Sequence, residues 1–268
     1  MTTLFDATLA LARILMRVHQ GDASANGAAG KTTLVDTTRV EPNDFYHLTG
    51  AGGGVIWFLS GTNDELSRAI TNWVNATGTF TFAAVTAQTV TGDDYAVCPI
   101  DWSRDELIEA INAARQTIGS VPAEDESLVT VADQMDYDLP SGVYNVLRVE
   151  EAQSTSSPYL YVPHSHWEEI GGKISFDEDT QPKTTDYKIR LTYSVAPTDL
   201  TTDAGTISDY VHIDLLKWVA AVHALRRRRG DPEFTGLLNE ALKREEEMKI
   251  LHPIPEMDRD PHLSGWMI

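Results

Sequence analysis

The residues best suited to phosphate chemistry lie in a short glycine-rich stretch near the amino terminus. Residues 25–32 read Ala-Asn-Gly-Ala-Ala-Gly-Lys-Thr, which differs from a phosphate-binding loop at position 25, where that motif has glycine. Such a loop needs a buried strand before it and a helix after it, so that backbone N–H groups converge on phosphate. Here a helical pattern precedes the stretch and a strand pattern follows it. We therefore predict a flexible linker and no nucleotide site.

A second glycine run and a histidine pair could also bind a ligand. Residues 50–54 read Gly-Ala-Gly-Gly-Gly, but a strand pattern follows them where a dinucleotide site has a helix, so we predict a turn. His164 and His166 would lie on one face of an extended strand, and two imidazoles can bind a metal. Glu168 and Glu169 are near in sequence, but a third ligand is not identifiable, and a polar loop or interface is the alternative. We predict no metal and no cofactor.

Hydrolytic chemistry has little support in this sequence. There is no Gly-x-Ser-x-Gly nucleophile motif and no His-Glu-x-x-His zinc motif. Two acidic runs, residues 124–126 and 177–179, could hide the carboxylate pair of a glycoside or cell-wall hydrolase. With 40 acidic residues in the chain, however, such runs are frequent by chance. We predict solvated loops for both runs and keep a hydrolase as the third functional hypothesis.

A basic block and an apolar carboxy-terminal segment are candidates for protein contacts. The block consists of Arg226, Arg227, Arg228 and Arg229 at the predicted end of a helix. Cations there are stabilised by the partial negative charge of the helix end and by acidic neighbours, or they contact an acidic partner or DNA phosphates. The carboxy-terminal segment contains three prolines and six large apolar residues: Ile254, Met257, Leu263, Trp266, Met267 and Ile268. Its apolar side chains must be covered by their own subunit or by a neighbour's groove, and we predict both sets as partner-binding residues.

Hydrophobic patterns place these residues on helices and on groups of strands. Helical spacing covers residues 3–19, 103–119, 211–229 and 232–251, and strand patterns with turns fill residues 33–97 and 127–196. Because the strands occur in consecutive runs and do not alternate with helices, the sequence predicts an α+β fold. We expect two small antiparallel β units joined by helices, a C-terminal helix pair and an extended tail. The expected segments are an N-terminal helix with a flexible linker (1–30), a first β unit (31–100), a connecting helix (101–120), a second β unit (121–200), the C-terminal helix pair (205–251) and an extended C-terminal arm (252–268).

Composition and charge narrow the possible functions. The 268 residues are 42% hydrophobic and 23% charged, as in folded globular chains, and no run approaches the ~20 apolar residues of a membrane span. The single cysteine, Cys98, excludes a disulfide framework within the chain and a cysteine-based zinc site. The formal charge of −19 disfavours non-specific nucleic-acid binding. Residues 120–206 carry much of this charge, with 16 acidic and 5 basic residues.

Two groups of residues resemble the head-to-tail adaptor (connector) proteins of tailed bacteriophages. The first group comprises residues 32–38, 44–46, 53–57, 60–61, 67–68, 76–82 and 93–95. The second group comprises residues 137–144, 147–150, 189–193 and 196–197, followed by Tyr210 before a helix that ends in the basic block. Together they extend over most of residues 32–229. The proline-containing tail is similar to the C-terminal arms that members of this family extend onto the portal.

The resemblance implies a structural virion protein without catalytic residues. Such a protein forms a ring, usually a dodecamer, beneath the phage portal and carries the tail below it. Its partners would be copies of itself, the portal, and tail nozzle or fibre proteins, while DNA passes through the ring without specific binding and no membrane is involved. It would be located in the neck or tail of the virion after assembly in the host bacterial cytoplasm. The alternative is a carbohydrate-binding or fibre-attachment protein of the phage tail, because Trp57, Trp73 and Trp167 lie in the predicted β units.

Overall fold

The computed structural model describes residues 2–49, 52–228 and 231–253, and these residues form four α-helices and seventeen strands. The helices are α1 (Leu4–Leu15), α2 (Arg104–Ile118), α3 (Ile213–Arg227) and α4 (Pro232–Leu251). The strands are β1 (Thr2–Thr3), β2 (His19–Asp22), β3 (Thr33–Val35), β4 (His47–Leu48), β5 (Gly52–Gly53), β6 (Val55–Phe58), β7 (Leu66–Val74), β8 (Thr79–Phe82), β9 (Asp94–Val97), β10 (Val121–Val129), β11 (Asp136–Asp138), β12 (Val146–Ala152), β13 (Tyr161–Pro163), β14 (Trp167–Ile170), β15 (Lys173–Phe176), β16 (Lys188–Val195) and β17 (Thr206–Ile207). The pairings between these strands are antiparallel. The predicted α+β class is confirmed.

The described residues divide into two compact units. The first unit contains residues 2–118 and 198–253, and the second contains residues 119–197. All four helices therefore belong to the first unit. In that unit α1, α2 and α3 pack against one another, and α4 packs against α3. No helix in the described ranges combines the length and apolar character needed to cross a membrane.

Local capping signals fix where three of the helices begin. Thr3 caps α1, because its hydroxyl oxygen accepts the N–H of Asp6 and its own N–H donates to the Asp6 carboxylate. Ser103 and Glu106 make the same reciprocal pair of bonds at the start of α2. Asp231 caps α4 by accepting the N–H of Glu233 at 3.0 Å. Each of these capping bonds joins residues two or three positions apart at the start of its helix. All three helices occur where their sequences predict them.

The first unit contains a six-stranded antiparallel sheet that closes into a small barrel. Its strand order is β2-β9-β6-β7-β8-β3. Just beyond β2, Ala25 forms a bridge with Val35 of β3, and the Ser24 N–H donates to the Val35 carbonyl oxygen at 2.8 Å. The two end strands are therefore joined. The enclosed core is largely aromatic and aliphatic and includes Tyr46, Ile56, Phe58, Ile70, Trp73, Phe80, Phe82 and Tyr95.

The stretch predicted as a flexible linker is an ordered part of this barrel. Residues 19–22 form β2 and pair with β9, and the Gly27 N–H donates to the Thr89 carbonyl oxygen at 3.0 Å. A Cβ atom on Gly27 would lie 2.1 Å from the Thr33 carbonyl oxygen. Glycine is thus required here by the close approach of two backbone segments, and it does not provide a hinge.

Strand β6 is buried on both faces because α1 covers the outside of the barrel. Ile56 and Phe58 point into the barrel core, and Trp57, between them, points to the opposite face. The Trp57 indole N–H donates to the hydroxyl oxygen of Thr8 in α1 at 3.3 Å. The run Val-Ile-Trp-Phe therefore reads as continuously apolar although the strand belongs to an antiparallel sheet.

A buried carboxylate connects the barrel to the helices. Asp203 is 6% exposed and precedes β17. It accepts the backbone N–H of Ser67 in β7 at 2.9 Å and the Ser67 hydroxyl at 2.5 Å, and it forms an ion pair with Arg104 of α2 at 2.9 Å. Because a buried charge is tolerated when it is paired and hydrogen-bonded, these contacts hold three chain segments together.

The second unit contains two antiparallel sheets around one core. The first sheet has the order β10-β16-β12-β13, and the second has the order β11-β15-β14. Their shared core takes residues from both sheets, including Val146, Val149, Ile189 and Leu191 from the first and Tyr137, Trp167, Ile174 and Phe176 from the second. Residues 124–126 belong to strand β10, so their prediction as a loop is wrong. Glu124 and Asp125 pair with β16, Glu126 lies at a register shift of the same strand, and a charged run on an edge strand has no alternating apolar pattern that would reveal it.

Candidate partner-binding surface

A groove lies between the last turn of α3 and the first half of α4. Its volume is about 660 Å³, within the range of pockets that hold drug-sized ligands, about 300–1,000 Å³. The groove is lined by apolar and polar side chains: Leu225, Phe234, Leu238 and Leu242, and Arg226, Arg228, Asp231, Thr235 and Asn239. We call this surface the α3–α4 groove. Its phenylalanine and arginine side chains are of residue types that are enriched at protein interfaces.

Arg228 of the basic block is a structural residue of this corner. Its guanidinium carbon lies 4.1 Å from the ring centroid of Trp102 and 5.6 Å from that of Phe234. One of its nitrogens donates to the Asp101 carbonyl oxygen and lies 3.5 Å from a carboxylate oxygen of Glu106. These contacts fix the turn between α3 and α4 against the start of α2.

Arg226 and Arg227 of the same block differ in what they contact. Arg227 forms an ion pair with Glu109 of α2. Arg226 is exposed and lines the α3–α4 groove, and its side chain has no hydrogen bond or ion pair with any residue in the described ranges. Arg229 lies outside the described residues. Of the three arginines whose contacts the structure gives, Arg226 is thus the one that offers its charge to a partner.

The protonation states of two neighbours limit the positive charge of this corner. Burial would raise the pKa of Glu106, but hydrogen bonds from Ser103 and the charge of Arg228 lower it, so this carboxylate is ionised and balances Arg228. Burial lowers the pKa of His223, and the charges of Arg226 and Arg227 lower it further. His223 is therefore neutral at pH 7 and adds no charge to the block.

The carboxy-terminal arm leaves the described chain at the far end of α4. Ile250 and Leu251 in the last turn are 81% and 65% exposed. The predicted partner-binding residues of the arm all lie outside the described residues: Ile254, Met257, Leu263, Trp266, Met267 and Ile268. Their assignment to partner binding stays a prediction.

The glycine-rich motifs and the single thiol lie in structural positions. Residues 25–32 connect β2 to β3, with no helix after them, as a phosphate loop would need. Gly53 belongs to β5, and a Cβ atom there would lie 1.8 Å from the Ile70 carbonyl oxygen. Cys98 is buried, and burial raises the pKa of its thiol to about 12. None of these described residues is placed to act on a ligand.

The predicted histidine pair is not brought together with a third ligand. His164 contacts the Glu151 carboxylate at 2.7 Å through Nε2, and His166 adopts a left-handed backbone conformation with φ of 61°. Within the described chain, the group whose geometry suits a metal is a different one: His212, Asp214 and His252. His212 and Asp214 are two residues apart, but His252 lies about 40 residues later, so no local motif could reveal the group of three.

The tryptophans that motivate a carbohydrate-binding function are buried. Trp57 is 0%, Trp73 is 2% and Trp167 is 4% exposed. A sugar ring stacks on an aromatic face that solvent can reach, and these three side chains present no such face. These three tryptophans therefore do not support the carbohydrate-binding alternative, because each strand directs its tryptophan side chain to a buried face.

The groove itself was not predicted from the sequence, although a signal for it is present. Phe234, Leu238 and Leu242 repeat every four residues along α4, which places them on one face of the helix. All three are partly exposed. An apolar stripe on a terminal helix that is otherwise charged is the feature that points to this surface.

Comparison with known families matches the chain to one of them over most of its length. The family model described as SU10 adaptor protein matches residues 62–252. This range contains α2, α3, α4, the second unit and three strands of the barrel. A search of curated proteins found no match.

Proposed function

The chain belongs to the SU10 adaptor protein family, and we propose on this basis that it forms a ring that joins the phage portal to the tail. Membership identifies the chain as a phage adaptor protein, a virion component that contacts other head and tail proteins. The match over residues 62–252 is the observation that carries the proposal, because it includes the whole second unit, part of the first unit and the α3–α4 groove.

The proposed ring is a dodecamer of this chain in the neck of the virion, assembled in the host cytoplasm. Its partners are the portal above and tail nozzle or fibre proteins below. The formal charge of −19 supports passage of DNA through the ring without binding, since a surplus of acidic groups repels phosphate. This role requires no catalytic residues, and we expect the purified chain to leave peptidoglycan intact in a zymogram.

A closed ring requires two different and complementary surfaces on each copy. The α3–α4 groove offers one of them, with an apolar floor and Arg226 at its edge. Residues 119–197 of the second unit carry 14 acidic and 5 basic side chains, so the second unit of a neighbouring copy is complementary in charge to that edge. We expect the groove to contact the neighbouring copy.

Ring formation tests the proposal directly. The purified chain should form rings in negative-stain images, alone or when mixed with the portal of the same phage, and should co-migrate with that portal in size-exclusion chromatography. A chain that stays monomeric and elutes apart from the portal would refute the proposed role.

Reversing the charge of Arg226 should weaken assembly. In Arg226→Glu, the groove edge would repel an acidic neighbour, and we expect the association constant between copies to fall roughly tenfold. The association rate constant should fall most at low salt, where charges are least screened. Sedimentation velocity over a concentration series measures this change. Arg13→Glu is the matched control, because Arg13 is an exposed arginine of α1 without an ion pair to any described residue. Equal assembly of the two variants would exclude the groove from the ring interface.

A further inference from the structure

Three side chains with metal-binding chemistry meet where α3 begins and α4 ends. His212 caps the amino terminus of α3, Asp214 lies in its first turn, and His252 caps the carboxyl terminus of α4. The two imidazole rings are stacked, with centroids 3.6 Å apart and planes 4° from parallel. One ligand atom from each of the three residues lies within 4.8 Å of the other two. The convergence involves two helices and is not a feature of one helix end.

Asp214 and His212 direct one potential ligand atom each toward the other. Lys217 binds Oδ1 of Asp214, which leaves Oδ2 turned toward His212, at 3.6 Å from Nδ1. In a tetrahedral site with bonds of about 2.0–2.1 Å, neighbouring ligand atoms are roughly 3.3 Å apart. The 3.6 Å between Nδ1 of His212 and Oδ2 of Asp214 is therefore close to the spacing of two ligand atoms on one ion.

The state of the two ligands on α3 favours a cation. Lys217 donates a hydrogen bond to Oδ1 of Asp214, and the other carboxylate oxygen, Oδ2, faces His212. Nδ1 of His212 accepts the Asp214 backbone N–H at 3.2 Å, which means that this nitrogen carries a lone pair. His212 is 47% exposed at the side chain, so an ion can reach it from solvent.

We propose that His212, Asp214 and His252 bind a divalent first-row transition metal ion such as Zn²⁺. Two imidazole nitrogens and one carboxylate oxygen are a donor set for these metals, whereas Mg²⁺ and Ca²⁺ require oxygen ligands. The ion takes the place of the backbone N–H at Nδ1 of His212, and the His252 ring tilts out of the stack to direct its lone pair to the same ion. Binding joins the start of α3 to the end of α4, the point from which the carboxy-terminal arm continues. The proposed adaptor role does not depend on this site.

Calorimetric titration of the full-length, chelator-treated protein with zinc chloride tests the site. We expect one zinc ion per chain and no heat from magnesium chloride at the same concentration. Because removal of even a group that only supports a ligand weakens metal binding by about 10–100-fold, His252→Ala should weaken zinc binding at least tenfold. The melting temperature of the parent should rise with saturating zinc, and that of the variant should not.

Two further variants separate metal binding from folding. His164→Ala combined with His166→Ala is the matched control, since it removes two histidines of the second unit and should leave zinc affinity unchanged. Asp214→Asn preserves the shape of the side chain and removes its charge, and it should reproduce the loss seen in His252→Ala even if the latter frays α4. Zinc binding that is absent from the parent, or equal in the parent and both site variants, would overturn the proposal.

Discussion

Replacing Trp57 with alanine should reduce the free energy of unfolding of the first unit by about 3–5 kcal/mol. The side chain is fully buried between the barrel and α1, and its indole N–H donates to the Thr8 hydroxyl oxygen. Truncation removes the largest apolar area on this face of β6, leaves a cavity, and deprives a buried hydroxyl of a partner. Chemical denaturation followed by far-UV circular dichroism measures the loss without depending on tryptophan fluorescence.

Two comparison variants make this result specific. Trp57→Phe keeps an aromatic ring and loses the indole N–H, so it should cost less than the alanine variant. Val40→Ala removes a side chain that is 81% exposed, and it should change stability by no more than about 0.5 kcal/mol. Folded Trp57→Phe should behave like the parent on a glycan array; a selective loss of glycan binding in that variant would restore the carbohydrate-binding hypothesis.

Deleting residues 253–268 should abolish docking to the portal and leave the described fold intact. The deletion begins after α4, which ends at Leu251, and α4 itself buries only Ala241 and Glu245 among its described residues. If the arm contacts only the partner, its removal takes away intermolecular contacts and little else. Co-migration with the portal should be lost, while the melting temperature should stay within about 2 °C of the parent.

A length-matched variant distinguishes the apolar side chains from the reach of the arm. Replacing Trp266, Met267 and Ile268 with serine keeps the number of residues and removes three of the six apolar candidates. We expect it to weaken portal docking as well, because buried aromatic anchors carry much of the affinity of an interface. A melting temperature far below that of the parent in the deletion variant would instead indicate that the arm packs on its own subunit.

The elements that could be predicted from the sequence are those whose stabilising interactions are local. The reciprocal bonds of Thr3 and Asp6, and those of Ser103 and Glu106, connect residues three positions apart, so the starts of α1 and α2 could be read from residue order alone. The end strands of the barrel show the opposite case. β2 pairs with β9, more than 70 residues later. Its sequence, His-Gln-Gly-Asp, has no alternating apolar pattern, so only the pairing with β9 makes it a strand.

The candidate binding residues show the same difference between what local sequence reveals and what long-range packing determines. The basic block was visible as a run of four arginines, but its members have different environments because Trp102, just before α2, contacts Arg228 and Glu109 of α2 contacts Arg227. Only the folded chain distinguishes Arg228, which is stacked on Trp102, from Arg226, which is exposed. The His212–His252 stack depends in the same way on the packing of α4 against α3. No spacing rule relates residues at that separation.

Joining of β2 to β3 in the barrel has a consequence for crowding. A sheet with free end strands presents unpaired backbone groups on which another chain can add a strand, and this is a common route to aggregation. The bridge from Ala25 to Val35 uses those groups within the chain. In the proposed ring, copies that lie side by side would thereby be protected against strand exchange through this sheet, and their contacts would be made by side chains.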